Sequence, residues 1–232
     1  MSSAHNARLT LIDRLSDGEF HSGEMLGDAL GMSRAAISKH IKVLQSWGLD
    51  IYRVQGKGYC LSQPIELLDD VWLREHTDVP ALSAIPVIDS TNQYLMERVG
   101  QLVSGSVCLA EYQQQGRGRR GRAWQSPFGS NLYWARLAEA CHPMPSRNTL
   151  AATLIARLKD ALIDYEQHGL SSIMADWPKL DNFIDRPVKL LMGDREVRGI
   201  ERGIDEHGAL LLDVEGDITP YLGGEISLRR DD

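Results

Sequence analysis

Between Ser33 and Leu61 the hydrophobic period changes from that of a helix to that of a strand, and this change constrains the fold more than any other feature. Ile37, Ile41 and Leu44 recur at spacings of four and three, which puts them on one helical face, and Ser33 stands where that helix needs an N-cap. Arg34, Ser38, Lys39 and Lys42 must then point away from that face. Upstream, Leu11, Ile12 and Leu15 mark a first helix over 7–15 that ends at Asp17-Gly18. Ser22 caps a second helix, which runs through Met25, Leu26 and Leu30 and is closed by Gly31. After Trp47-Gly48, the run Asp50 to Leu61 alternates apolar and polar residues about a glycine-containing turn, the pattern of a hairpin. Three helices followed by a hairpin predict a winged helix-turn-helix over 1–62. Its third helix would carry Ser33, Arg34, Ser38, Lys39 and Lys42 to the major groove, and Lys57 would meet a backbone phosphate from the wing tip. The competing assignment is a three-helix protein-docking module with a solvated basic face.

At 232 residues the chain is long for one core, so two or three domains are expected. A net charge of −7 argues against a surface that binds polyanions everywhere. Only 34–57 and 117–122 depart from the acidic average, the latter with Arg117, Arg119, Arg120 and Arg122. No apolar run approaches the roughly 20 residues that span a bilayer, and the first residues lack the apolar core of a signal peptide, so a cytoplasmic protein without a membrane partner is expected. Cys60, Cys108 and Cys141 are odd in number and far apart, which suits reduced structural thiols better than a zinc site or a disulfide framework. No metal site is expected.

Gln63-Pro64 breaks the wing and opens a second domain, with a short helix predicted over Ile65 to Arg74. Ala84 to Ile88 reads as a strand. Asp89-Ser90-Thr91-Asn92 then forms a polar turn capping a helix with Tyr94, Leu95 and Val99 inward; Ser90 has either a capping or a binding role. Val107 to Tyr112 is a second strand, leading into Gln113 and a loop with Gly116, Arg117, Gly118, Arg119, Gly121, Arg122 and Trp124. The glycines match G-x-G-x-x-G, but the following Ser126-Pro127-Phe128-Gly129 is a turn where a dinucleotide site needs a helix. The loop's arginines instead suit a phosphate on an acyl or nucleotide ligand, with non-specific nucleic-acid binding as the competitor. Further on, Leu150, Leu154, Leu158, Leu162 and Tyr165 predict the buried side of an amphipathic helix. Short strands over 188–192, 197–200, 209–214 and 218–221 suggest a small barrel. His207 reads as a solvated turn residue, and Gly223-Gly224-Glu225 as a structural turn.

Several of these stretches resemble the bifunctional biotin protein ligases that also repress the biotin operon: Ser33 to His40, Gly56-Lys57-Gly58-Tyr59, Asp89 to Asn92, and most specifically Glu111 to Trp124. The resemblance runs over 1 to about 133 and from about 147 to 230. It implies an α+β multidomain chain: the winged helix-turn-helix, a biotin-ligase catalytic domain of class II synthetase-like α/β fold over 63–182, and an SH3-like β-barrel over 183–232. The activity implied is ATP-dependent formation of biotinyl-5'-adenylate, transfer to a lysine of a biotin carboxyl carrier protein, and biotin-dependent repression at operator DNA by a homodimer. Biotin and ATP would be substrates, with Mg accompanying ATP. Ser90, Thr91 and Asn92 would belong to the biotin pocket, Gln113, Arg117, Gly118 and Arg119 would bind biotin and its adenylate, Arg122 would lie near the phosphate and Trp124 near the adenine.

The chain departs from that family in its centre. After Asn131-Leu132-Tyr133 the family carries a Lys-Trp-Pro-Asn-Asp segment, a Gly-x-Leu-x-Glu stretch and a Gly-x-Gly-x-Asn stretch, none of which occurs here. The chain passes instead through His142-Pro143-Met144-Pro145 into Arg147-Asn148-Thr149-Leu150, which resembles a later helix of the family. Asp176-Trp177-Pro178-Lys179 is a decoy, with Asp176 and Lys179 where lysine and asparagine are required. No catalytic residue is therefore assigned. An incomplete catalytic domain, an uncovered sheet face, impaired ligation and a weakened dimer are expected; a winged-helix repressor without enzymatic activity is the alternative.

Overall fold

The computed structural model describes residues 3–118, 124, 127–129, 145–222 and 226–231. The chain falls into two compact units, Met1–Arg157 and Leu158–Asp232.

The first unit opens with α1 (Ser3–Leu15), α2 (Gly23–Leu30) and α3 (Arg34–Ser46), followed by the antiparallel hairpin of β1 (Ile51–Val54) and β2 (Gly58–Leu61). Ser22 caps α2 by accepting the Met25 N–H at 3.0 Å, and Gly31 ends it in the left-handed region at φ 62°. Ser33 caps α3 through the Ala36 N–H. Leu11, Ile12, Leu15, Leu26, Ile37, Ile41 and Leu44 form the core expected from their spacing. The wing is tied to the start of α2 by a two-way backbone bridge, in which His21 and Tyr59 each donate to the other's carbonyl at 2.9 Å. Gly58 makes this possible, because at φ 114° a Cβ would stand 2.1 Å from the His21 carbonyl oxygen.

Next come α4 (Asp70–Glu75), β3 (Leu82–Ile88), α5 (Thr91–Met96), β4 (Val107–Gln113) and α6 (Arg147–His168). β3 and β4 pair in parallel and are the only strands of their sheet among the described residues. The helix predicted over 65–74 begins only at Asp70. Residues 66–69 spend their polar groups elsewhere: the Leu68 N–H donates to Glu111, and the Asp69 N–H and Leu67 carbonyl pair with the Asn148 amide. Asp69 then caps α4 through the N–H groups of Val71 and Trp72. Val99, expected inward, is 74% exposed, because α5 ends at Met96 and the chain turns before that position can return to the packed face.

A buried polar knot closes this part. Arg147 donates to both oxygens of Glu111 at 2.8 and 3.3 Å, and both residues are 4% exposed. Burial works against the Glu66 carboxylate, but hydrogen bonds from the Asn148 amide, the backbone N–H groups of Arg147 and Asn148, and Ser146 outweigh it and hold its pKa below the usual range. Between α1 and the β3–β4 sheet lies a cavity of about 320 Å³ lined chiefly by Leu9, Ile12, Leu68, Ile85, Pro86 and Phe128.

The expected buried side of α6 is corrected by the structure. Leu150 is buried together with Ala151, Ala152 and Ile155, but Leu154, Leu158, Leu162 and Tyr165 are 50–61% exposed. The helix packs through its first turns, at a face rotated toward Ala151, Ala152 and Ile155, and the leucine row lies off that face.

The second unit includes α7 (Ser171–Met174), α8 (Trp177–Leu180) and β5 (Pro187–Met192), β6 (Arg195–Ile204), β7 (Leu210–Val214), β8 (Asp217–Tyr221) and β9 (Ile226–Arg230). The strands form one antiparallel sheet in the order β8-β7-β6-β5-β9 around Val188, Leu190 and Leu212. β9 went unpredicted. A bulge in β6 turns the wholly buried Glu201 so that it accepts the Gly203 N–H, and burial, with Asp181 and Asp185 nearby, raises its pKa.

Two predictions follow from these buried carboxylates. Arg147→Met should cost about 3–5 kcal/mol by leaving Glu111 without its cation, and Glu111→Gln/Arg147→Met should recover part of that loss, read by urea unfolding. Because the folded pKa of Glu201 is raised, its ionisation lowers stability as pH rises through the carboxylate range toward neutrality. Glu201→Gln should therefore raise the thermal midpoint at pH 7, with the gain shrinking in acid.

Candidate functional site

The recognition helix and the wing enclose a groove of about 440 Å³ whose walls include Ser22, Arg34, Ser38, Arg53 and Lys57. Arg34, Lys39 and Lys42 are exposed, Ser38 is half-buried, and the Ser33 hydroxyl is occupied in capping. Arg34 forms an ion pair with Glu24 at the lip of this groove. Lys57 lies 5.3 Å over the Phe20 ring and Arg53 lies 5.8 Å over Tyr59. Aromatic platforms thus hold both wing cations beside the groove without neutralising them. Sequence reasoning missed Glu24 and Phe20, whose relevance depends on contacts made across the fold. The geometry suits a phosphate backbone along the rim, with the start of α3 directed at base edges.

The second candidate site stands at the carboxyl ends of β3 and β4, where open α/β sheets bind ligands. The Gln113 amide oxygen accepts both the Thr91 N–H at 2.9 Å and the Thr91 hydroxyl at 3.2 Å. Parallel pairing continues past the strands, with Gln114 N–H to the Ile88 carbonyl and Gln115 N–H to Asp89, both at 2.8 Å. The Ser90-Thr91-Asn92 turn is thereby brought beside the root of the glycine-arginine loop. The Ser90 hydroxyl accepts the Gln93 N–H at 3.4 Å, so its capping role is present. Asn92 and Arg117 are exposed, and Gly118 is half-buried. Gly116 is buried against Trp124, whose N–H donates to the Gly116 carbonyl at 2.7 Å; a Cβ on Gly116 would come within 3.1 Å of the Trp124 Cβ. Arg119 and Arg122 lie outside the described residues, as do Cys141 and Gly223 to Glu225.

Both stems of the loop rest on Trp47 at the end of α3. Tyr112 stacks on its ring at 5.2 Å between centroids and Phe128 at 6.1 Å, and the Phe128 N–H donates to the Trp47 carbonyl at 2.8 Å. Cys60 and Cys108 are free thiols, and burial pushes the Cys108 pKa up. Among the described residues no cluster of His, Cys, Asp and Glu could hold a metal ion, and no helix is long and apolar enough to cross a membrane.

Comparison with known proteins agrees with this geometry. The profile of an HTH domain matches residues 8–60, that of the Biotin/lipoate A/B protein ligase family matches 84–179, and that of the Biotin protein ligase C terminal domain matches 183–229. The Bifunctional ligase/repressor BirA of Salmonella typhimurium is 43% identical, and that of Escherichia coli 42%, each match covering 95% of this chain and 97% of the relative. This chain belongs to the bifunctional ligase/repressor family of biotin protein ligases. Both matches extend over 311 positions, more than the 232 residues here, so these relatives carry several dozen residues without a counterpart in this chain. A solved structure of the Biotin protein ligase from Aquifex aeolicus in complex with biotin and ATP shares the fold at a TM-score of 0.52 and 19% identity, covering 66% of this chain and all of that one.

Glu24 occupies the Arg34 guanidinium that a DNA phosphate would need. Glu24→Gln should tighten DNA binding roughly fivefold at low salt, worth about 1 kcal/mol, and Arg34→Ala should weaken it. Fluorescence anisotropy on a labelled duplex across a salt series reads both.

Proposed function

We propose that this chain carries both roles of its family, biotin ligation and transcriptional repression, with the ligase role weakened by the loss of its central segment. In this proposal 1–62 binds operator DNA through Ser33, Arg34, Ser38, Lys39, Lys42 and Lys57. The shortened 63–182 region binds biotin and its adenylate through Ser90, Thr91, Asn92, Gln113, Arg117, Gly118, Arg119, Arg122 and Trp124, and 183–232 forms the C-terminal domain. ATP would enter as its Mg complex, and the acyl group would pass to a lysine of a carboxyl carrier protein. The guanidinium groups would steady charge on the phosphate of the adenylate.

The observation that carries this reading is the Thr91–Gln113 corner, which keeps the binding turn and the glycine-arginine loop together at the ends of two parallel strands. The weakening rests on the absent Lys-Trp-Pro-Asn-Asp segment. Asp176-Trp177-Pro178-Lys179 is a poor substitute: Lys179 pairs with Asp176 at 2.7 Å, and the Trp177 indole donates to Asp181 at 2.9 Å, so these groups serve their own short helix. Dimerisation through the family's central sheet would be weakened with the segment. A repressor without enzymatic activity is the second reading, favoured by the same absent lysine.

The deciding measurement pairs biotin binding by calorimetry with transfer of labelled biotin to a carrier domain. Retained binding is expected, with transfer reduced roughly a hundredfold or more relative to the Escherichia coli relative. Transfer at the relative's rate would refute the weakening. Absence of both binding and transfer from a folded chain would leave only the repressor.

A further inference from the structure

Arg8 shares the inward face of α1 with Leu11, Ile12 and Leu15, and it is half-buried there. Its guanidinium carbon lies 5.7 Å from the centroid of the Trp47 ring. Among the described residues Arg8 forms no ion pair, and its Nε is buried without a hydrogen-bond partner. The face of Trp47 offsets part of the charge but gives the Nε hydrogen no acceptor, and a desolvated donor left unmatched is costly. Two imidazoles flank this cation. His5 precedes Arg8 by one helical turn, with its ring centroid 6.0 Å from that of Trp47, and His40 precedes Trp47 by two turns along α3. Burial, and then the Arg8 charge, pushes both imidazoles below their ordinary pKa, with the amino-terminal charge adding to this at His5; no carboxylate of the described residues acts on either.

We propose that His5, Arg8 and His40 form a binding site for a small tetrahedral dianion, a phosphate or sulfate group, held against the Trp47 ring. A guanidinium fork matches two oxygens of such a group, and its unmatched Nε hydrogen gains the acceptor that the described residues do not supply. Two imidazoles beside the fork suit a second negative charge. An anion placed between them cancels the effect of Arg8 and favours their protonated forms, so binding takes up protons. DNA is not the source of the group. At about 100° per residue, His40 and Trp47 fall on the side of α3 opposite Arg34, Ser38 and Lys42, away from the groove between helix and wing. The site uses none of the residues assigned to biotin, its adenylate or the operator, and it does not depend on the proposed function.

The test is calorimetric titration of the full chain with sulfate at an ionic strength fixed by chloride, alongside histidine-ring NMR. Sulfate keeps both charges near neutrality, so pH acts only on the protein. Saturable binding of one sulfate is expected, tightening roughly fivefold or more from about pH 7.5 to about pH 5.5. The resonances of His5 and His40, assigned through His5→Gln and His40→Gln, should titrate at higher pH with sulfate than without it. Arg8→Gln, checked for folding by circular dichroism, should abolish binding and raise both imidazole pKa values in the absence of sulfate. The wild-type chain decides the matter even where that variant fails to fold. A response that chloride reproduces would reduce the effect to ionic screening, and displacement of sulfate by a DNA duplex would assign the cluster to DNA. Either result overturns the proposal, as would sulfate binding that Arg8→Gln leaves intact.

Discussion

The ion pair between Glu111 and Arg147 holds the middle of this protein in place. It joins β4 to α6 from positions on either side of the glycine-arginine loop, and both side chains are almost entirely withdrawn from water. Such a pair contributes little net stability, because desolvation offsets most of its attraction, but it tolerates almost no displacement. Around it, Glu66 and Asn148 bind the linker after the wing to the start of α6. Two paired strands are marginal by themselves, and among the described residues β3 and β4 are kept in place by this polar knot together with the small apolar cluster of Leu73, Leu82, Ala151 and Ile155.

Trp47 is the second point of convergence. It ends the recognition helix, lies within the winged-helix core, and carries both stems of the loop that leads to the candidate ligand site. α3 and the loop therefore share one packed aromatic cluster rather than being joined by a linker. Gly48 reinforces the closeness: a Cβ there would stand 2.7 Å from Pro127.

The glycine-arginine loop illustrates how motif and structure divide the work. Its arginines suit an anionic ligand, and Gly116 leaves little room for a side chain where Trp124 passes, since a Cβ there would come within 3.1 Å of the Trp124 Cβ. The structure adds the Gln113 amide, which reaches from the end of one parallel strand to Thr91 just past the end of the other and sets the polar turn beside the loop's root.

The sequence by itself determined the winged helix almost completely, since Ser22, Gly31, Ser33 and the Ile37-Ile41-Leu44 row act through local capping and periodicity. The same local logic located β3, β4 and most strands of the second unit. Only the tertiary structure decided which face of α6 is buried, where α4 begins, and that Glu24 shields Arg34. Each of these depends on partners far along the chain: periodicity shows that a helix has an apolar face but not which side a neighbour occupies. In this chain the leucine row could be read as core from its spacing alone, and it is exposed because the helix docks through Ala151, Ala152 and Ile155 instead.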